Sequence, residues 1–183
     1  MKKFLVLLMM IAFIQSISHA KEPAEVKPIR DWYQKVGTMI ESEQGIFLSE
    51  WAVNKKGNEY PGIGQMMGKI SFYWTFKQDD VSEKLVKAVI EHNFSDFVSY
   101  EEYLYDADGS IVFIYHSWRS GSADVNEFRI YFKDGSPFYV TETDNKTKAV
   151  TEYFKIPEIY ATDFFMVQMN IKNLQAFFKA RLF

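Results

Sequence analysis

Cysteine is missing from all 183 residues. Its absence excludes disulfides, a thiolate metal site, a thiol nucleophile and the lipid-bearing cysteine of a bacterial lipoprotein. Stability must therefore come from a packed core. Histidine is scarce: His19, His92 and His116 are the three copies, none at ligand spacing from another His or Glu, so no metal is expected. An excess of basic charge is lacking too, with 21 Lys and Arg against 24 Asp and Glu and a formal net charge of -3. Such a chain suits neither nucleic acid nor an anionic membrane surface. Long apolar runs are confined to the first twenty residues.

There, Met1-Lys2-Lys3 precedes FLVLLMMIAFI, and the stretch ends in Ser18-His19-Ala20. A basic start, a short apolar centre and a small-x-small end predict a secretory signal peptide over 1–20, cleaved after Ala20. The apolar run is short for a membrane span, which takes about 20 residues; an uncleaved anchor is the alternative. Cleavage removes Lys2 and Lys3 and takes the net charge from -3 to -5. The expected product is exported, periplasmic or extracellular, and soluble, with no membrane span. Residues 21–27 read as a polar lead and 28–183 as one domain, long enough to bury its own core.

Residues 100–141 carry the plan of the fold. Four alternating runs, SYEEYLY, SIVFIYHSW, NEFRIYF and SPFYVTE, are punctuated by Asp106-Ala107-Asp108-Gly109 and Lys133-Asp134-Gly135. Alternation between Gly-bearing turns predicts an antiparallel meander. Bulged three-residue loops would pair Asp106 with Ser110 and Phe132 with Ser136. That register puts Phe128, Ile130, Phe132, Phe138 and Val140 on one face, with Glu127, Arg129, Tyr131, Tyr139 and Thr141 on the other. It also sets Tyr103 and Tyr105 beside Ile111, Phe113 and Tyr115. A two-residue Asp-Gly turn would shift the pairing by one and mix the sets. The candidate surface is therefore an aromatic face of Tyr103, Tyr105, Phe113, Tyr115, Arg129, Tyr131 and Tyr139.

Around the meander the spacing predicts helices and further strands. Ile29, Tyr33, Val36 and Ile40 make one face of a helix over 28–42, with Pro28 in its first turn. Residues 46–53 and 69–77 read as strands. Between them, Gly62-Ile63-Gly64 lacks the strand-to-helix context of a phosphate-binding loop and reads as a hairpin loop. Asp80 and Glu83 resemble a capping box ahead of Leu85, Val86, Val89 and Ile90, predicting a short helix through Glu91. Residues 150–156 have an ambiguous pattern that admits a further edge strand. At the end, Tyr160, Phe164, Val167, Ile171, Leu174 and Phe178 step by four, three, four, three and four, with Lys172, Lys179 and Arg181 toward the terminus that favours positive charge. The expected fold is α+β: a single antiparallel sheet, a meander of about six strands, with N- and C-terminal helices packed against one face.

No catalytic constellation emerges. Glu101 and Glu102 are adjacent on a strand and point to opposite faces, unlike a paired acid and base. Ser117, Ser120 and Ser122 near His116 lack a nucleophile elbow. A calcium-loop alignment on Gly109 places Leu104 and Tyr115 where the first and last ligands belong. The turn itself explains those aspartates.

The pattern YEEYLYDADGSIVFIYHSW, then EFRIYFKDGSPF, after a PGIG loop and an FYW strand, resembles a group of uncharacterised exported bacterial proteins. Those have an N-terminal helix, a Tyr-Glu-rich strand, an Asp-Gly turn and an Arg-x-Tyr-Phe-x-x-Gly strand. The resemblance covers roughly residues 28–140 and implies export and one α+β domain. Function is then expected to be non-catalytic: binding of a protein, peptide or glycan on the tyrosine face, without a cofactor. Two alternatives stand beside it: an enzyme acting on cell-envelope or extracellular material through His116 and nearby acids, and a tyrosine face that the N-terminal helix simply buries.

Overall fold

The computed structural model describes residues 22–62, 64–77, 80–120, 123–158 and 161–180. The expected signal peptide and Tyr160 lie outside the described residues. Helix α1 (Val26–Ser42) leads into strands β1 (Phe47–Val53), β2 (Glu59–Tyr60), β3 (Gly64–Lys77), β4 (Asp80–Phe94), β5 (Phe97–Tyr105), β6 (Ile111–Ser120), β7 (Ala123–Lys133), β8 (Ser136–Thr143) and β9 (Val150–Tyr153), and the described chain closes with helix α2 (Ala161–Ala180). The strands form one antiparallel sheet in the order β1-β3-β4-β5-β6-β7-β8-β9, with β2 on β3. The nine strands exceed the six expected from the sequence.

The additional strands are β2, β9 and β4, and the last of these replaces the helix expected over 80–91. Leu85, Ala88 and Ile90 of β4 face one core and Val86 faces another. A strand buried on both sides reads as a continuous apolar run, and over ten residues such a run imitates the helical period. The β-branched Val86, Val89 and Ile90 fit the pleated sheet well. Residues 150–153 settle as the edge strand β9.

The two Asp-Gly turns resolve differently. Asp106 donates its N–H to the Ser110 carbonyl at 2.9 Å, and Gly109 closes the turn at φ 83°, as the bulged loop requires. The Asp106 carboxylate accepts the N–H groups of Asp108 and Ser110, both at 2.9 Å, so turn formation accounts for this acidic side chain. At the second turn Lys133 pairs with Ser136 instead of Phe132. Asp134 and Gly135 take φ of 51° and 73°, the positive values of a two-residue hairpin loop.

Past the turns, the strand registers shift in a concerted way. Tyr73 pairs with Lys87 but Trp74 with Leu85, which leaves Val86 as an extra residue. Leu104 pairs with Phe113 but Tyr105 with Ile111, leaving Val112. Tyr131 pairs with Tyr139 but Phe132 with Pro137, leaving Phe138. The three bulges lie beside one cross-strand row, Lys87, Leu104, Phe113, Tyr131 and Tyr139. All three extra side chains belong to the core under α1, and a line of bulges bends and twists the strands it crosses.

The helices cover opposite faces, not the one face expected. Val26 and Val36 of α1 pack on Val86, Leu104, Phe113, Tyr131 and Tyr139. Val167, Leu174 and Phe178 of α2 pack on Phe72, Ala88, Tyr103, Ile114, Ile130 and Val140, at the expected spacing of a core-facing stripe. Trp32 pins α1 by donating its indole N–H to the Tyr105 carbonyl at 2.9 Å.

Candidate functional site

The bulge at Val112 decides which predicted site residues meet. It reverses the facing of β5 relative to β6, so that Tyr103 pairs with Ile114 and Leu104 with Phe113. Tyr103 and Tyr105 consequently sit in the α2 core, while Phe113, Tyr115, Arg129, Tyr131 and Tyr139 stay on the α1 side. The expected seven-residue face is thus split between the two sides of the sheet. Of the five that remain together, Tyr131 and Tyr139 are each only 1 % exposed. Helix α1 buries that half of the face, as one sequence alternative held.

Beyond α1 the same face stays accessible. A half-open cleft of about 510 Å³ runs between the helix and the sheet, lined by Ile29, Arg30, Tyr33, Glu102, Tyr115 and Arg129 among others. Strand geometry builds its floor. Glu102, Tyr115, Arg129 and Thr141 are successive cross-strand partners on β5 to β8, so their side chains stand in a row. Helix periodicity builds the wall, because Arg30 and Tyr33 lie three residues apart on α1. The Tyr33 ring meets Phe113 edge-on, with centroids 5.4 Å apart.

At the centre of the cleft, Glu102 is 6 % exposed and has three partners. Tyr33 and Tyr100 each donate a hydroxyl to it at 2.6 Å, and the Lys87 ammonium lies 2.9 Å away. Burial works to raise the Glu102 pKa, but Lys87 and the two hydroxyls outweigh it and hold the carboxyl below its usual range. Burial, reinforced by bonding to the Glu102 carboxylate, pushes both tyrosine hydroxyls well above their ordinary values. These groups stay in one charge state across physiological pH. The Lys87 ammonium also lies 4.8 Å from the Tyr33 ring centroid.

Two guanidiniums flank this centre. Arg129 lies 5.3 Å from the Tyr115 ring centroid, and donates to Glu127 at 3.1 Å and Thr143 at 3.4 Å. Arg30 lies 5.9 Å from the Tyr131 centroid, donates to its hydroxyl at 3.2 Å, and pairs with Glu22 at 2.7 Å. Comparison of the chain with protein-family models, curated proteins and solved structures finds no match. The site is read from its own chemistry.

Sequence reasoning missed Arg30, Tyr33, Lys87, Tyr100 and Glu102. Tyr33 reads from the sequence as part of the helix's core face, and Arg30 three residues before it is the available signal. Lys87 was out of reach because 80–91 read as a helix. Glu101 and Glu102 do point to opposite faces. Beside α2, the buried Glu101 carboxylate accepts the Tyr103 hydroxyl, lies 3.9 Å from His116 Nε2, and is 3.4 Å from the Asn170 amide. His116 leans on Trp118, which stacks on Phe128.

Proposed function

We propose that the protein is an exported, non-catalytic binding domain that holds a segment of peptide or glycan in the cleft between α1 and the sheet. The observation that carries this reading is the combination of Tyr115 and Arg129 with a half-open space of about 510 Å³. That volume lies in the range of small-ligand sites, about 300–1,000 Å³. Tyrosine and arginine give broad contact area with oriented donors at the rim, a pairing typical of binding hot spots. The fixed ionisation of Glu102, Tyr33 and Tyr100 supports a preorganised surface, since proton shuttling needs a group that titrates near the working pH. Export rests on the sequence of the first twenty residues.

The test is a titration with a panel of short peptides and oligosaccharides, followed by amide chemical shifts. Tyr115→Ser is expected to weaken any cleft-bound probe tenfold or more while the melting temperature moves by a few degrees. If the variant binds as well as the parent, the cleft reading is wrong.

The enzymatic alternative, acting on envelope or extracellular material, draws on the approach of His116 to Glu101. Against it, the adjoining Tyr103 hydroxyl belongs to a residue that is 0 % exposed. A hydrolytic activity abolished by His116→Ala in a fully folded variant would restore it.

A further inference from the structure

We propose that the cleft selects a carboxylate-bearing ligand, whose anionic group lies between Arg30 and Arg129. The inference rests on the binding reading above and adds the chemistry of what is bound. Arg30 comes from α1 and Arg129 from β7, yet both line the same space. Arg30 is anchored on Tyr131 by a hydrogen bond of 3.2 Å and by its place over the ring. Tyr131 and Arg129 are two residues apart on one strand face, roughly 7 Å along β7. Arg30 thus faces the cleft from the Tyr131 side and Arg129 from the Tyr115 side, where it also meets Glu127 and Thr143.

Each cation here has a carboxylate of its own, but the pairs differ in how firmly they are held. Among the described residues, Glu102 is the one carboxylate lining the cleft, and it is already matched by Lys87 and two tyrosine hydroxyls. Glu22 and Glu127 each pair with one guanidinium at the rim. With Arg30 48 % and Arg129 37 % exposed as side chains, such pairs hold weakly in water and exchange readily. A planar guanidinium offers a fork of donors that matches a carboxylate, and a ring beneath it limits its rotation. Both arginines have that ring. A single negative charge suits the place better than a dianion, because Glu102 lines the same cleft. The apolar body of the ligand would rest on Ile29, Phe113 and Tyr115.

A carboxylate of this kind comes either from a peptide, at its C-terminus, or from a uronic acid of a glycan. Two matched probe pairs separate them: the tripeptide Ala-Tyr-Ala as free acid and as C-terminal amide, and a glucuronate-bearing disaccharide with its neutral glucose counterpart. Each is titrated into 15N-labelled protein while the amides of Arg30, Tyr33, Tyr115 and Arg129 are followed. The acid member of one pair is expected to bind at least tenfold more tightly than its neutral twin, and that pair identifies the source. Arg129→Gln should erase the preference, so that the acid and neutral members of that pair bind the variant within about threefold of each other. Arg129→Lys, which keeps the charge but loses the fork, should retain part of it. Equal binding of acid and neutral members at the cleft would overturn the carboxylate inference and leave the binding reading standing. Failure of all four probes to shift these amides would overturn both.

Discussion

Replacing Lys87 by Met is the sharpest test of how the centre of the cleft is held together. Lys87 and Glu102 are 8 % and 6 % exposed, and their charged atoms are 2.9 Å apart. Met keeps most of the side-chain volume, so the change removes charge more than packing. What is left is a buried carboxylate with two tyrosine hydroxyls and no cation. Breaking a buried pair in this way costs about 3–5 kcal/mol, a large share of the 5–15 kcal/mol that holds a typical domain together. For a chain of this length the melting temperature should fall by roughly 6–20 °C.

The pH dependence of that loss identifies its cause. In the parent the Glu102 pKa is depressed, so its contribution is present above the unfolded value of about 4.3 and fades as pH drops through the folded value. In the variant, burial is opposed by the two tyrosine hydroxyls alone, so the folded pKa should rise above the parent's. The penalty is then full at neutral pH and relieved as pH falls toward 4. Urea denaturation of parent and variant at pH 7 and pH 4.5 measures this: the difference should shrink at the lower pH. Adding Glu102→Gln to Lys87→Met should recover most of the loss. A difference below about 1 kcal/mol that is flat with pH would refute the reasoning.

Other expectations follow from the same structure. Tyr131→Ser and Tyr139→Ser should each destabilise by about 3–5 kcal/mol, because both rings lie in the α1 core and truncation opens a cavity; urea melts check this, against a small effect for Tyr115→Ser. Leu174→Ala in α2, at a 3 % exposed position, should cost about 2–5 kcal/mol by the same assay. Thermal melts with excess calcium and with chelator should coincide, since the Asp106 carboxylate serves its own turn. Intact-mass analysis of exported protein should show a chain that starts at Lys21.

The antiparallel meander and the two terminal helices were legible in the sequence because Asp-Gly turns and period-2 alternation are local signals. The stripe of Val167, Ile171, Leu174 and Phe178 was equally plain. What stayed hidden depended on tertiary context. A helix-like spacing in Leu85, Val86, Val89 and Ile90 arose because β4 is buried on both faces. The bulges at Val112 and Phe138 leave no local signature, yet each redirects the side chains that follow it. Through the first of them, Tyr103 and Tyr105 left the predicted site. Phe138 moved from the aliphatic face to the α1 core for the same reason. The candidate cleft was half visible, in Tyr115 and Arg129, while its helix wall and its Glu102 centre needed the packing of α1.

The proposed ligand site lies beside α1, and the molecule offers a competing surface against which to judge it. Phe47, Trp51 and Phe76 are 43–45 % exposed around the edge strand β1, where Phe47 stacks on Trp74 at 4.7 Å. Amide shift mapping of the whole chain with the peptide and oligosaccharide panel distinguishes the two places directly. Perturbations should cluster at Arg30, Tyr33, Tyr115 and Arg129. Clustering at Phe47, Trp51 and Phe76, with the cleft amides unmoved, would contradict a ligand site beside α1.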